Sequence, residues 1–256
     1  INTPNTYQDP KKGLFAPNTF LGVEGHKKPS SSLVNHCLNL PFPVTEGEEA
    51  PVPRLESYQE PPNPPLPPEL MRSVLLPLTA VEDNGMSVEQ KVELSPFYML
   101  ERSNFYNRVF FNNNKDGESE QSFTIEVTTG VETKQSSTFF KTTGISVNSE
   151  AGITIGKKDI LSFGLKASGT ISKEMGFSTT TDVTDFKTVT KTYKQTIPAG
   201  RSSIVWVKET SFRIKRLNGS YVSAALNFNL PSIVVGQFPH KQGESLTENH
   251  SENFKT

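Results

Sequence analysis

The chain reads as an all-β protein, and three observations predict it. Its 256 residues include 17 Phe but only 4 Met, alongside abundant Thr, Ser, Val and Ile, a balance that suits pleated strands better than helices. Several stretches alternate apolar and polar residues with a period of two, the mark of a strand with one buried and one wet face. Turn signals such as Asn112-Asn113-Asn114-Lys115-Asp116-Gly117, Pro198-Ala199-Gly200 and Asn218-Gly219 separate those stretches.

Composition narrows the function classes. The formal net charge is -1, without the basic excess expected of a nucleic-acid binder. No apolar run approaches the roughly 18 residues of a membrane-spanning helix, so any membrane activity must come from β-structure. Cys37 is the one cysteine; it cannot form an intramolecular disulfide and leaves the redox compartment unread. The chain opens at Ile1 rather than Met; the expectation is an upstream piece, either cleaved off or lying outside this sequence, with no signal peptide visible and the export route open.

Three regions follow from the order of the residues. Residues 1–70 carry most of the prolines, including the run from Glu60 to Pro68, and read as a Pro-rich segment or strap laid over another surface. Residues 71–239 hold the alternating stretches, and 240–256 form a polar tail. Within the middle region, Val74–Leu78 starts a strand, Val88–Leu94 reads as a short strand, and Pro96–Phe111 as a long aromatic-rich one. Ser122–Thr143 and Thr179–Ile197 are long Ser/Thr-rich strands, well beyond a typical length of about 5–6 residues. Ser203–Leu217, Tyr221–Leu230 and Ile233–Phe238 complete the set.

Between the two Ser/Thr-rich strands lies Gly144–Ser178, the segment on which the functional reading turns. Ile145, Val147, Ala151, Ile153 and Ile155 hold odd positions, and Leu165, Ala167, Ile171, Met175 and Phe177 resume the same phase. The expected structure is an amphipathic hairpin whose first limb, Ile145–Ile155, matches the roughly 9–11 residues of a membrane-spanning strand. Its tip carries Ile160, Leu161 and Phe163 among charges, more apolar surface than a solvent turn requires.

No enzyme signature is present: no P-loop, dinucleotide fingerprint, His-Glu-x-x-His or Gly-x-Ser-x-Gly. The expectation is a non-enzyme without cofactor or metal, since His26, His36 and Cys37 match no usual zinc spacing. Asn218-Gly219-Ser220 and Asn249-His250-Ser251 fit the glycosylation pattern but are better explained as a turn and a tail. Tyr98, Phe105, Tyr106 and Tyr221 are candidate receptor contacts, weighed against the usual preference of aromatics for burial.

Over Met71–Phe238 the chain resembles the Toxin_10 insecticidal crystal proteins, whose relatives include binary mosquitocidal toxins. The resemblance lies in Leu94-Ser95-Pro96-Phe97-Tyr98-Met99-Leu100-Glu101-Arg102 with Phe105 and Tyr106, in the Ser/Thr-rich strand–hairpin–strand block, and in Thr210 to Ser220 with its Asn-Gly turn. That family is similar in turn to aerolysin-type pore-forming toxins. The resemblance implies an elongated body of long twisted antiparallel strands with a tucked amphipathic hairpin, preceded by the Pro-rich irregular segment. It implies a toxin, secreted or laid down as a parasporal-type crystal, that acts at the host cell membrane. A receptor would be engaged there, copies would oligomerise, and their hairpins would close into a transmembrane barrel; participation of a second toxin component stays open. The first 70 residues are too short and proline-rich for the β-trefoil head that many members carry, and Trp206 is the one tryptophan, so glycan binding through such a head is not implied. The rival reading is a non-pore β-sandwich that binds a carbohydrate or a protein receptor.

Overall fold

The computed structural model describes residues 30, 32–33, 50–149, 152–155, 171–172, 175–177, 186–240 and 249–250. Most of 1–49, the hairpin tip, Ala151, Leu165, Ala167 and nearly all of the tail therefore lie outside the described residues, as do His26, His36 and Cys37. The fold is all-β with antiparallel sheets, as the sequence predicts. Its strands are β1 (Glu69–Pro77), β2 (Phe97–Asn114), β3 (Gln121–Thr129), β4 (Ile145–Asn148), β5 (Gly152–Ile155), β6 (Val189–Ile197), β7 (Arg201–Arg216), β8 (Leu226–Phe238) and β9 (Asn249–His250). Among the described residues, α1 (Val88–Leu94), α2 (Thr133–Thr143) and a 3-10 turn at Leu78–Ala80 interrupt them.

The central sheet runs β1-β2-β7-β8-β9, while β3 pairs with β6 and β4 with β5. Strand β2 has 18 residues and β7 has 16, and they pair from Tyr98↔Arg216 to Asn114↔Arg201 with one shift near Arg108. Tyr221–Leu230 and Ile233–Phe238, expected as separate strands, largely merge into β8. Pro231 is tolerated in the interior of that strand because the register slips there: Val207 faces Ile233 and Glu209 faces Asn229. A proline, lacking an N–H, is accommodated at such an irregularity.

Both faces of β7 are covered from Ser202 to Phe212. Side chains of a strand alternate between faces, and Val205 and Val207 pack with Ile125, Val127 and Tyr193 of the β3–β6 ribbon. On the opposite face, Ile204 and Trp206 join Tyr106, Val234, Ala50 and Leu55. Toward the strand's other end, Phe212 and Ile214 enter the largest core cluster with Leu76, Leu100 and Phe228.

Residues 50–68 contain no helix or strand, as their prolines dictate. They dock by polar contacts around the buried Leu55. Arg108 pairs with Glu60 at 2.8 Å, donates its guanidinium to the Pro61 carbonyl, and gives its backbone N–H to Asn63 at 2.8 Å. The Tyr58 hydroxyl donates to the Gly200 carbonyl at 3.0 Å, and its ring meets Phe238 edge-on at 4.9 Å.

Two stretches expected as strand are helical. Val88–Leu94 begins with a reciprocal cap, in which Gln90 N–H donates to the Ser87 hydroxyl and Ser87 N–H to the Gln90 side chain. The expected strand Ser122–Thr143 stops at Thr129, and α2 follows, burying Phe139 and Thr143 four residues apart on one face. Of the expected strand Thr179–Ile197, residues 186–197 are described, and the strand among them is β6, which begins at Val189.

Leu55→Ala is expected to lower the unfolding free energy by about 2–3 kcal/mol through the cavity left against Trp206 and Tyr106. Urea denaturation checks it, and a loss below about 0.5 kcal/mol, the level of an ordinary surface change, would contradict docking of this segment.

Candidate functional site

The candidate site is the folded segment that begins where α2 ends. Gly144 terminates the helix in the left-handed region at φ 73°, a conformation that favours glycine. Its N–H reaches the Phe140 carbonyl at 2.7 Å, and the Thr143 carbonyl accepts from the Glu82 N–H at 2.9 Å. The chain then enters β4, which pairs with β5 in the register Ile145↔Ile155, Ser146↔Thr154, Val147↔Ile153 and Asn148↔Gly152. The Ser136 hydroxyl donates to the Val147 carbonyl at 2.6 Å, tying α2 to β4.

Ile145–Ile155, expected as one extended limb, is therefore folded back on itself. Parity could not reveal this: in the observed register odd residues face odd residues, so a small hairpin and a single strand display the same alternation. Gly152, at φ 69°, supplies the left-handed backbone beside the reversal. The second limb differs too. Ile171 and Ser172 are helical and Met175–Gly176 form a turn. Ile171 and Met175, four residues apart, suit a helical turn as well as a strand.

The apolar side chains of both pieces are buried together. Ile145, Val147, Ile153, Ile171, Met175 and Phe177 are each at most 2% exposed and share the largest core with Phe212, Ile214 and Phe228; Ile155 packs against it partly buried. The polar partners lie elsewhere. Ser146 and Asn148 line a cavity of about 420 Å³ with Thr133, Ser136 and Phe186. The segment's two-sidedness is thus expressed in the folded chain.

Three polar contacts fasten it. The Ser172 hydroxyl accepts from the Ile153 N–H at 2.9 Å, joining the two pieces. Arg102, on β2, donates to the Met175 carbonyl at 2.8 Å, and its guanidinium lies 4.1 Å from the centre of the Phe177 ring, a favourable cation–π distance. Phe177 in turn meets Phe186 at 4.9 Å and Phe212 at 6.0 Å. Gly176, at φ 81°, leaves room for this clasp, since a β-carbon there would come within 3.0 Å of Arg102 Nη1. Arg102 closes the Leu94–Arg102 stretch on which the family resemblance rests, but nothing in the sequence marked it as a clasp.

The aromatic candidates for receptor contact divide. Tyr98, Phe105 and Tyr106 are buried, at 0%, 9% and 2% exposed, because β2 is sandwiched over most of its length. Tyr221 is exposed, with Arg213 stacked 5.0 Å from its ring centre. Tyr98 donates its hydroxyl to Asp83 at 3.1 Å, and Asp83 takes a two-pronged contact from Arg216 at 2.7 and 2.8 Å. Burial pushes the Asp83 carboxyl up, but the Arg216 guanidinium, the Gly85 N–H and the Tyr98 hydroxyl together outweigh it and hold the pKa below the ordinary value. Burial, reinforced by the Asp83 charge, raises the Tyr98 pKa.

Among the described residues no cluster of three His, Cys, Asp or Glu stands ready for a metal. None of the described helices is long and apolar enough to cross a membrane, which says nothing of strands.

Long antiparallel strands enclosing a buried two-sided segment define an all-β protein that stores an amphipathic element in its own core. The chain belongs to the Toxin_10 family, the insecticidal crystal toxins P42, whose family model matches residues 70–237. Nine solved chains match its structure. One is the crystal structure of Cry35Ab1, with a TM-score of 0.48, 16% identity, 80% of this chain covered and 55% of that one. The chain thus spans little more than half of that neighbour. None of the curated proteins compared with it matches.

Two outcomes are expected. Arg102→Ala should speed hydrogen exchange of the Met175–Phe177 amides about tenfold or more, the loss of a charge-assisted bond and a cation–π contact, while β7 amides stay protected; unchanged exchange would refute the clasp. Asp83→Asn should cost about 3 kcal/mol at neutral pH by leaving Arg216 unpaired. Because the folded Asp83 pKa is depressed, its stabilisation is complete above the unfolded value of 3.8 and disappears as pH falls through the folded one. The gap between variant and wild type should therefore close in acid, as read by denaturation at pH 7 and pH 2.

Proposed function

We propose that this protein is an insecticidal β-pore-forming toxin of the aerolysin type, with residues 71–239 as the pore-forming domain. It oligomerises on target gut-cell membranes, and the Gly144–Ser178 segments of several copies refold into a transmembrane β-barrel. The observation that carries this reading is the burial of the segment's apolar side chains beside a hydroxyl-lined cavity that takes its polar ones. A closed barrel is the β-structure that satisfies every backbone group in lipid, so one copy cannot suffice.

Refolding requires the β4–β5 reversal to open, so that Ile145 to Ile155 becomes one limb, and the turn at Ile171–Phe177 to extend into the other. Odd-numbered residues, Ala151, Leu165 and Ala167 among them, then meet lipid, and Ser146, Asn148 and Thr154 line water. Ile160, Leu161 and Phe163 lead across the bilayer. Pore formation requires no catalytic group, and the protein acts from outside the host cell after secretion or release from a crystal. Tyr221 remains the accessible candidate for receptor contact. A proteolytic trigger acting on residues 1–70 would reach the segment through Leu33, which packs against its core cluster, since the described part from Ala50 packs over Trp206 in a separate one.

Ile153→Asp is a poor probe, since Ile153 is fully buried and a carboxylate there would strike the soluble core as well. Ile155→Asp is the better one: Ile155 is partly exposed in the folded chain yet faces lipid in the barrel. The wild type should release dye from vesicles made of target gut-membrane lipids and form detergent-resistant oligomers. Ile155→Asp should fold, judged by circular dichroism, and lose at least about tenfold in leakage, a charge on the lipid face costing every copy. A variant that leaks like the wild type would overturn the hairpin assignment. A wild type that stays monomeric and leaves vesicles intact would favour the non-pore binding module.

A further inference from the structure

We propose that the β3–β6 ribbon is the surface through which copies of this chain join, the basic edge of β6 on one copy pairing with the acidic edge of β3 on the next. This rests on the pore reading and names the contact that reading requires.

The ribbon stands apart from the central sheet. Its strands pair with each other through nine positions, Gln121↔Ile197 to Thr129↔Val189, and with no other strand among the described residues. One face, Ile125, Val127 and Tyr193, is packed on Val205, Val207 and Ile233; the other, with Ser122, Thr124, Glu126 and Thr128, is exposed.

Backbone geometry shows which groups point outward. The Thr128 carbonyl accepts from the Asn229 side chain at 2.9 Å, and the Gly130 N–H donates to the Asn229 carbonyl at 2.8 Å, both on the side away from β6. Alternate residues of an antiparallel strand turn both polar groups to the same side, so Ser122, Thr124 and Glu126 do likewise. Among the described residues those outward groups have no backbone partner. Opposite them, Thr192 and Lys194 turn theirs outward from β6 by the same rule.

The charges of the two edges are segregated by sign. From 116 to 126 the chain carries Asp116, Glu118, Glu120 and Glu126 without a cation, and from 187 to 194 it carries Lys187, Lys191 and Lys194 without an anion. Lysines often guard an edge strand against stray pairing. A general guard, however, would place cations on both edges, and β3 has none. Segregated charge selects instead: β3 repels β3, β6 repels β6, and β6 attracts β3. That pairing is head-to-tail and keeps the strand direction alternating. Repeated around a rotation that closes, it gives a ring without free edges, the arrangement from which a barrel can grow.

Charge reversal in the full-length chain tests the interface. Replacing Glu118, Glu120 and Glu126 together by Lys makes both edges basic, and replacing Lys187, Lys191 and Lys194 together by Glu makes both acidic. On vesicles made of target gut-membrane lipids, with oligomers counted by cross-linking and gel electrophoresis, each variant alone should lose about tenfold in oligomer yield, the cost of like charges at an interface. An equimolar mixture should recover the wild-type yield, because the two variants can alternate around the ring; this recovery also excludes misfolding as the cause of the loss. Single variants that assemble like the wild type, or a mixture that stays monomeric, would overturn the interface while leaving the pore reading standing. A wild type that forms no oligomer on these vesicles would bring both down.

Discussion

From Ser202 to Phe212 strand β7 has no face to give to solvent, and the rest of the fold is arranged around that constraint. Val205 and Val207 are covered by the β3–β6 ribbon, and the apolar side chains of the other face by two different pieces of chain, residues 50–68 near Trp206 and the Gly144–Ser178 segment near Phe212. Between these two apolar ends lies a polar waist. Lys208, Glu209 and Thr210 are all buried, with Thr210 bonded to Asn104 and Glu209 to Asn107. Burial raises the Glu209 pKa, and the Asn107 amide offsets part of that rise. Because apolar contact is broken at the waist, the two ends form separate clusters, so one can loosen without the other having to follow.

That separation bears on how the segment is held. Arg102, next to the waist on β2, reaches out of it with a bond to Thr210 at 3.4 Å and a bond to Met175 at 2.8 Å. It thus couples the end of the segment to the polar row rather than to the strap. The local fastening is polar and directional, whereas most of the holding energy is apolar. A disturbance of the waist therefore reaches the segment through one guanidinium.

Much of this architecture was legible in residue order. Strands β2, β6 and β7, the Asn218-Gly219 turn and the extended proline region follow from alternation, turn chemistry and the missing N–H of proline. Helix α1 was legible too, through the Ser-x-x-Gln spacing of Ser87 and Gln90, but its short apolar pattern suited a strand equally well. Helix α2 was not: Thr133–Thr143 is rich in Ser and Thr, and it is the tertiary burial of Phe139 and Thr143 that selects the helix. The fold-back of Ile145–Ile155 is hidden for a stricter reason, since pairing odd with odd leaves the alternation untouched. The burial of Tyr98 follows the usual preference of aromatics, but the partner of its hydroxyl could not be foreseen, because Asp83 is itself held by Arg216, 133 residues away.

The same burial sets the terms of release. Six side chains at most 2% exposed, each worth about 1.5–3 kcal/mol on exposure to water, make withdrawal into solvent cost on the order of 10 kcal/mol, comparable to the whole stability of an ordinary domain. Loss of Arg102 or Ser172 contacts removes only about 1–3 kcal/mol each, enough to change the rate of local opening but not to hold the segment out in water. The apolar face can therefore leave the core only where another apolar medium receives it in the same step. Lipid meets that demand for the side chains but not for the backbone, whose groups need a neighbouring strand. The proposed pore mechanism thus requires membrane and neighbouring copy together, with the edges that recruit the neighbour already exposed while the segment is still tucked. The β3–β6 ribbon, flanking the segment in sequence, satisfies that order of events.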